Sequence, residues 1–130
     1  MKNNFFLSIF VFVILFTFES VSNSKELKIN SSEVSVDKNT QLVIFKGRVN
    51  AVDDKNNKIL TELAEYDKRG KRLETSGYTK IITSENYILE GADILFDDKK
   101  KKISSNFSAK IVDGDGNQIF VEMFEYLIDK

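Results

Sequence analysis

A short phrase recurs every thirty residues and constrains the fold of this chain more than any other feature. It reads Val36-Asp37-Lys38, then Tyr66-Asp67-Lys68, then Phe96-Asp97-Asp98, and Gly47 and Gly77 keep the same spacing. A fixed period of this length indicates one supersecondary unit that is copied and stacked, because a single copy cannot bury its own apolar face. The sequence therefore predicts a repeat architecture.

The second apolar stretch of each copy alternates strictly between two kinds of position. One parity carries no charge in any of the three copies: Val43, Phe45, Gly47, Val49, Ala51; Leu73, Thr75, Gly77, Thr79, Ile81; Ile103, Ser105, Phe107, Ala109, Ile111. The other parity carries Lys46, Arg48, Arg72, Glu74, Lys80, Lys102 and Lys110. A period of two predicts a β-strand with one dry face and one wet face.

The first stretch of each copy repeats this alternation over a shorter length. Its apolar positions are Val34 and Val36, Ala64 and Tyr66, Ile94 and Phe96, and acidic residues occupy the opposite face. A fourth, incomplete copy continues with Phe124, Tyr126 and Ile128, at a spacing that we predict to slip by two residues. Each copy therefore contributes two strands to one sheet.

Polar turns separate the stretches and define how the strands are arranged. They fall at 37–40, 67–70 and 97–100 within the copies and at 53–57, 84–86 and 113–117 between them. A leading aspartate in such a turn accepts backbone hydrogen bonds, and short turns favour antiparallel neighbours. About seven strands of roughly ten residues, with no helical pattern after residue 25 to cover the dry face, predict an all-β fold. We expect one antiparallel sheet folded over into a β-jelly-roll or V-shaped trough.

The N-terminal segment has the composition of a secretory signal. Met1 and Lys2 precede an apolar or small run at 5–18, and the small residues Ser22 and Ser24 predict cleavage after Ser24. The apolar run is shorter than the roughly 20 residues that a membrane span needs; an uncleaved anchor is the alternative. We expect a signal peptide at 1–24 and one domain at 25–130, incomplete at its C terminus and delivered across a membrane.

Composition excludes several classes of function. Nineteen basic and twenty acidic residues leave a net charge of -1, whereas nucleic-acid binding requires a basic surplus. Cysteine and histidine are absent, which removes disulfides, thiolate metal sites and the commonest general base. The turn at 113–117 opens like a calcium loop, but Gln118 and Phe124 stand where that loop needs Gly and Glu. We predict no catalytic residue, no metal site, no cofactor and no enzymatic activity.

The repeats resemble the OstA-like repeat of the lipopolysaccharide-transport (Lpt) proteins. The best matches are 33–49 and 62–79, where Val-Asp-Lys or Tyr-Asp-Lys leads to a strand ending Lys-Gly-Arg-Val or Ser-Gly-Tyr-Thr, with 92–97 as a third. The resemblance spans about 27–130, and the third copy departs from it with Phe107 in place of Gly. It implies a periplasmic β-jelly-roll whose open apolar groove holds the acyl chains of lipopolysaccharide. It also implies that edge strands join such domains end to end.

Two sets of site residues follow from the pattern and the resemblance. The predicted groove-lining residues are Val34, Val36, Phe45, Val49, Tyr66, Leu73, Ile81, Ile94, Phe96, Ile103, Phe107 and Ile111. The predicted edge-strand contacts to partner Lpt domains are Ile29, Val34, Phe120, Phe124, Tyr126 and Ile128. The alternative is a secreted β-sandwich module that binds carbohydrate or protein and has a filled core. The four lysines at 99–102 fit a solvated turn, which we favour, or a site for anionic phosphates.

Three kinds of Lpt protein remain open from the sequence. The chain stops after the first strand of the fourth copy. This favours the N-terminal periplasmic domain of an LptD-like outer-membrane assembly protein, attached to the outer membrane through a longer parent. A complete short chain fits the LptA-like soluble bridge protein. An uncleaved N terminus fits the membrane-anchored LptC-like member. In each case the domain is expected in the periplasm.

Overall fold

The computed structural model describes residues 27–128, and every regular element in that range is a β-strand. The predicted signal peptide and its cleavage site lie outside the described residues. Within 27–128 there is no helix of the length and apolarity that a bilayer span requires. The strands are β1 (Lys28–Asn30), β2 (Glu33–Asp37), β3 (Leu42–Val52), β4 (Lys58–Asp67), β5 (Arg72–Thr75), β6 (Tyr78–Ile82), β7 (Ile88–Ala92), β8 (Leu95–Asp97), β9 (Lys102–Ser105), β10 (Ala109–Val112), β11 (Gln118–Val121) and β12 (Phe124–Leu127).

Seven long stretches are present, but five of them bend and divide. The described residues therefore contain twelve strands in place of the seven or so expected from the sequence. Only β3 and β4 continue through the bend. We call the line where the stretches bend the crease. It passes through 31–32, 47–48, 62–63, 76–77, 93, 106–108 and 122–123.

The crease divides one continuous antiparallel sheet into two parts. Half-sheet one has the strand order β1-β3-β4-β6-β7-β10-β11, and half-sheet two has the order β2-β3-β4-β5-β8-β9-β12. Residues from both half-sheets belong to a single buried apolar cluster, so the sheet is folded over on itself with its apolar faces inward. The predicted all-β, antiparallel, folded-over sheet is confirmed.

The backbone at the crease adopts conformations that favour glycine. Gly47 has φ 80° and Gly77 has φ 81°, in the left-handed region where a Cβ atom is disfavoured. Beside Gly47 the register of β3 with β4 shifts in a β-bulge, which increases the local bend. In the third copy the stretch still divides at Phe107, although no residue there is in the left-handed region. The Phe107 N–H donates to Ser105 Oγ at 3.1 Å.

Aspartates close the turns, as the sequence predicts. The Gly70 N–H is the strongest of several contacts that lower the pKa of Asp67, and the side-chain amide of Asn117 does the same for Asp113. Between copies, Asp53 and Asp113 bind the residue four positions later in the same way, so the segment at 113–117 is a tight turn. Within copies, the Oδ1 atoms of Asp37, Asp67 and Asp97 accept N–H groups of Asn39, Arg69 and Lys100 at 2.9, 3.0 and 3.1 Å.

The fourth copy keeps the thirty-residue period. Tyr126 lies opposite Ile103 from one side and Phe96, thirty residues earlier, lies opposite Ile103 from the other. Phe124 likewise lies opposite Ser105. The two-residue slip predicted from the sequence is therefore wrong, because the turn at 113–117 matches the turn at 53–57 in length.

Replacing the crease glycines tests the bend. We expect Gly77→Ala to lower the free energy of unfolding by about 1–2 kcal/mol, the cost of a left-handed conformation for an L-residue. Gly47→Ala should cost more, because its new Cβ would lie 3.0 Å from Ser32 Cβ. Gly114→Ala is the control, since its Cβ would meet only Asn86 Cβ at 4.0 Å. Urea unfolding followed by circular dichroism measures the differences; equal losses in all three variants would contradict this account.

Candidate functional site

The facing surfaces of the half-sheets carry apolar ladders that cross every strand. Residues in register on neighbouring strands have Cβ atoms about 5 Å apart, so each ladder is a continuous apolar wall. Ladder one, on half-sheet one, consists of Ile29, Ala51, Ile59, Ile81, Leu89, Ile111 and Ile119. Ladder two, on half-sheet two, consists of Val36, Val43, Tyr66, Leu73, Phe96, Ile103 and Tyr126.

Burial along the ladders is deepest in the middle and decreases toward the outer strands. Ile81 in ladder one and Leu73 in ladder two expose 0% of their surface. At opposite ends, Ile119 exposes 49% and Val36 exposes 50%. The centre between the half-sheets is therefore dry and filled by side chains, while the apolar walls continue into solvent at each end.

A seam of buried hydroxyl groups runs along the crease. Thr79 Oγ1 lies 2.7 Å from Thr75 Oγ1 and 3.2 Å from Thr61 Oγ1, and Thr75 Oγ1 accepts the N–H of Ile94 at 2.9 Å. All three threonines are buried. Because each buried hydroxyl has a partner, the seam avoids the cost of unpaired polar groups. It links β4, β5 and β6 with Ile94, the residue before β8.

Opposite the crease, the turns form two lips that face each other across a mouth. Turns 37–41, 67–71 and 97–101 close half-sheet two, and turns 53–57, 83–87 and 113–117 close half-sheet one. The lip of half-sheet one meets half-sheet two where Tyr87 packs edge-on against Tyr126 of β12, with ring centres 6.1 Å apart. The Tyr126 hydroxyl also donates to Glu85 Oε1 at 2.8 Å. We call these three residues the mouth contact.

The mouth contact is partly desolvated. Burial raises the pKa of the Tyr126 hydroxyl above that of a free tyrosine, and the neighbouring Glu85 carboxylate also raises it. The hydroxyl therefore stays protonated at neutral pH and remains a hydrogen-bond donor. The strands themselves join the half-sheets only at the crease. Away from the crease the half-sheets are held by the single apolar cluster, and the mouth contact adds a link between them at the turns.

The structure distributes the predicted groove residues over three levels of burial. Phe107 lies outside the ladders, in the bend between β9 and β10. The lining of a lipid groove by these residues stays a prediction. Phe45, Val49, Leu73, Ile81, Ile94, Phe96 and Ile103 are buried, Val34, Tyr66 and Ile111 are half-buried, and Val36 and Phe107 are exposed.

Sequence reasoning missed two central residues of ladder one, Ile59 and Leu89. In the second stretches the inward side chains stay on odd-numbered positions across the crease, because the inward positions on its two sides are four residues apart. In the first stretches the inward side chains change from odd-numbered to even-numbered positions, because in β4 the inward residues Thr61 and Ala64 are only three residues apart. A search that lets the alternation restart after three residues finds both missing positions.

The outermost strands have unpaired sides among residues 27–128. There β1 and β2 pair only with β3, β11 pairs only with β10, and β12 pairs only with β9. Of the predicted edge contacts, Ile29 lies in β1, Val34 in β2, Phe120 in β11, and Phe124 and Tyr126 in β12; Ile128 follows β12 and donates its N–H to Lys101 O at 2.9 Å. Within the same range, no group of three or more acidic side chains is arranged to hold a metal ion.

Comparison with solved structures identifies the fold. No sequence-family profile matches the chain, and no curated protein matches it. The crystal structure of LptH from Pseudomonas aeruginosa, the LptA-homologous periplasmic component of the conserved lipopolysaccharide transport device, superposes with a TM-score of 0.61. The match has 14% sequence identity and covers 78% of this chain and 76% of LptH. The chain therefore has the LptA-like β-jelly-roll fold expected from the OstA-like repeats.

Substitutions along ladder two test the burial gradient. Leu73→Ala should lower the free energy of unfolding by about 2–5 kcal/mol, because it leaves a cavity in a fully buried site. Val36→Ala should cost less than about 1 kcal/mol, because half of that side chain is already exposed. Urea titration with circular dichroism compares the two variants. Similar losses at both positions would show that burial is uniform along the ladder.

Proposed function

We propose that this chain is a periplasmic lipopolysaccharide carrier of the Lpt type. Its acyl-chain site is the space between the two half-sheets, with the predicted groove residues as its walls. The observation that carries the proposal is the pair of continuous apolar ladders, set in a fold shared with a periplasmic component of a lipopolysaccharide transport device. The predicted signal peptide supports the same location.

The ladders supply a driving force suited to hydrocarbon. Each buried methylene group contributes about 0.8 kcal/mol, independent of any directional contact. An acyl chain lying along ladder one and ladder two would therefore be held without polar recognition, and it could slide between equivalent rungs. Exposed apolar residues at both ends, such as Val36 and Ile119, extend the wall to where a chain arrives or leaves.

Loading requires the half-sheets to separate, because the middle of the interior is already filled. The threonine seam and the strands that cross the crease hold one side together, so the crease acts as the hinge. On the other side the contact around Tyr126 is small, with side-chain hydrogen bonds to Glu85 and Thr83 and one ring contact with Tyr87. In this proposal, acyl chains replace contacts that ladder one makes with ladder two. The apolar burial that is lost when the ladders separate is thus offset by burial of the same side chains against lipid.

The filled interior is also the observation that favours the alternative function. Ladder centres such as Ile81 and Ile103 expose 0% of their surface, as expected for a β-sandwich binding module with a permanent core. The two functions differ in one physical respect. A carrier binds lipid only when its mouth opens, whereas a module with a permanent core binds no acyl chain at all.

The second part of the proposal is assembly through the unpaired edges. An added strand gains main-chain hydrogen bonds and tolerates varied side chains, and exposed strand edges invite such pairing. The edge strands β1 and β2 lie at one end of the ladders and β11 and β12 at the other. Pairing one end of a domain with the other end of the next would align their interiors into one apolar path toward the outer membrane.

Similarity to an LptA homologue favours the bridge type of Lpt protein. The N-terminal domain of an LptD-like assembly protein, with its attachment to the outer membrane, remains a prediction from the sequence. So does the anchored LptC-like member. All three place the same fold between the two membranes.

Stapling the mouth tests the carrier proposal. The chain has no cysteine, so Glu85→Cys with Tyr126→Cys can be linked specifically by a short bis-methanethiosulfonate reagent. We expect the linked protein to take up lipopolysaccharide at least tenfold less than the unlinked protein, with recovery after dithiothreitol. Binding measured by a fluorescent lipopolysaccharide shows the difference.

The matched control places the same link on the outer face of half-sheet one. Glu90→Cys with Lys110→Cys joins residues that are already in register, with Lys110 Nζ 3.5 Å from Glu90 Oε1. This link should leave uptake unchanged. Undiminished uptake by the stapled mouth would refute a site between the half-sheets. Absence of uptake by every form would support the module with a permanent core.

Lysine substitutions at one end test the assembly. Phe120 and Leu127 are exposed on β11 and β12, and lysine on an edge strand opposes pairing. Phe120→Lys with Leu127→Lys should abolish concentration-dependent association in sedimentation velocity experiments. Tyr78→Lys, which also replaces an exposed aromatic residue but lies on the central strand β6, should associate like the parent. Equal association of all three proteins would contradict joining through these edges.

A further inference from the structure

The two lips of the mouth carry opposite charge. The lip of half-sheet two, turns 37–41, 67–71 and 97–101, has seven lysine or arginine residues and four aspartates, a net charge of +3. The lip of half-sheet one, turns 53–57, 83–87 and 113–117, has one lysine and five acidic residues, a net charge of -4. The near-neutral chain is therefore strongly polarised across its mouth. We call these the basic lip and the acidic lip.

The cations of the basic lip are regularly spaced. Its turns join β2 to β3, β4 to β5 and β8 to β9, so successive turns lie two strands apart along half-sheet two. Two strand spacings amount to about 10 Å, which is close to the Debye length of about 8 Å at physiological ionic strength. Neighbouring turns therefore reinforce each other's potential along a row of roughly 20 Å.

The acids of the basic lip are already engaged. The leading aspartates accept turn N–H groups through Oδ1, and Asp98 binds Lys101 Nζ at 2.9 Å. In contrast, Lys68, Lys99 and Lys100 are exposed and have no ion pair with any described residue. Their charges are thus available to an external anion. Arg69 is held beside them by Gln41, whose Oε1 accepts the Arg69 Nε–H at 3.2 Å.

We infer that the basic lip binds the phosphate groups of an amphiphile whose tails lie between the half-sheets; this rests on the proposed function. A polar headgroup cannot follow its tails into the dry interior without losing its hydration. It must therefore stop at the mouth, between one lip that repels an anion and one that attracts it. The lip asymmetry selects phosphorylated amphiphiles over neutral ones and fixes the side on which the headgroup lies.

Two dodecyl amphiphiles that differ only in headgroup test this inference. Dodecyl phosphate and dodecyl maltoside are titrated against the protein loaded with the neutral fluorescent probe N-phenylnaphthylamine. The lip variant combines Lys68→Gln, Lys99→Gln and Lys100→Gln. Each exposed ion pair contributes a factor of roughly two to the binding constant. Losing three of them should therefore make the variant bind dodecyl phosphate about tenfold more weakly. Its affinity for dodecyl maltoside should not change.

The matched control removes three exposed lysines outside the basic lip. It combines Lys28→Gln, Lys46→Gln and Lys58→Gln, which change the net charge by the same amount. We expect this control to keep the parent's affinity for both amphiphiles. We also expect the parent's preference for dodecyl phosphate to decrease between low and high salt, since the lip charges are exposed.

The outcomes separate this inference from the proposed function. If neither amphiphile displaces the probe from the parent protein, the acyl-chain site itself is refuted. If both displace it and the lip variant and control weaken dodecyl phosphate equally, the basic lip has no special role. Competition by inorganic phosphate at the concentration of dodecyl phosphate would indicate a free phosphate site and would also overturn the inference.

Discussion

The structure depends on keeping apolar side chains inward on both sides of the crease. A strand alternates its side chains, so a bend that adds or removes one residue turns the apolar face outward. This chain solves the problem in two ways that alternate along the sheet. The second stretches step by four residues at the crease and the first stretches step by three, and the β-bulge between β3 and β4 absorbs the difference. Both half-sheets therefore face one interior, and the lips, the mouth and the unpaired ends follow from that geometry.

In the proposed function, the same bend would let the interior take up a transient occupant. The crease is fastened by strand continuity and by the hydroxyl seam at Thr61, Thr75 and Thr79. No strand of the described residues crosses at the mouth, where the half-sheets are held by apolar packing and by the contacts around Tyr126. A hinge with one strong side and one weak side can open without losing its strand pairing. The interior surfaces are apolar ladders without embedded charge. Opening would expose these apolar side chains to solvent, and hydrocarbon chains would cover the same surface.

Sequence reasoning predicted the repeat, the all-β class and the folded-over sheet, because period-two patterning and a fixed period report directly on strands and stacking. It placed Leu73, Ile81 and Ile103 on the apolar face for the same reason, and in the structure this face is buried at those three positions. It missed Ile59 and Leu89, because the first stretches change parity where Leu60 and Leu63 put apolar residues on the outer face. It could not foresee the division at Phe107, since no glycine marks that bend. The opposite charges of the lips also escaped it, because turns thirty residues apart become neighbours only once the strand order is known.

The thirty-residue period has a consequence for how such molecules change in size. One unit contributes two residues to each ladder and one turn to each rim, and it leaves the terminal strands as they were. Duplicating a unit in the gene would therefore elongate the trough by two strand widths while preserving its cross-section and the chemistry of its ends. Chains of different length built on this plan would have the same cross-section and the same terminal strands, and would therefore remain interchangeable at their junctions.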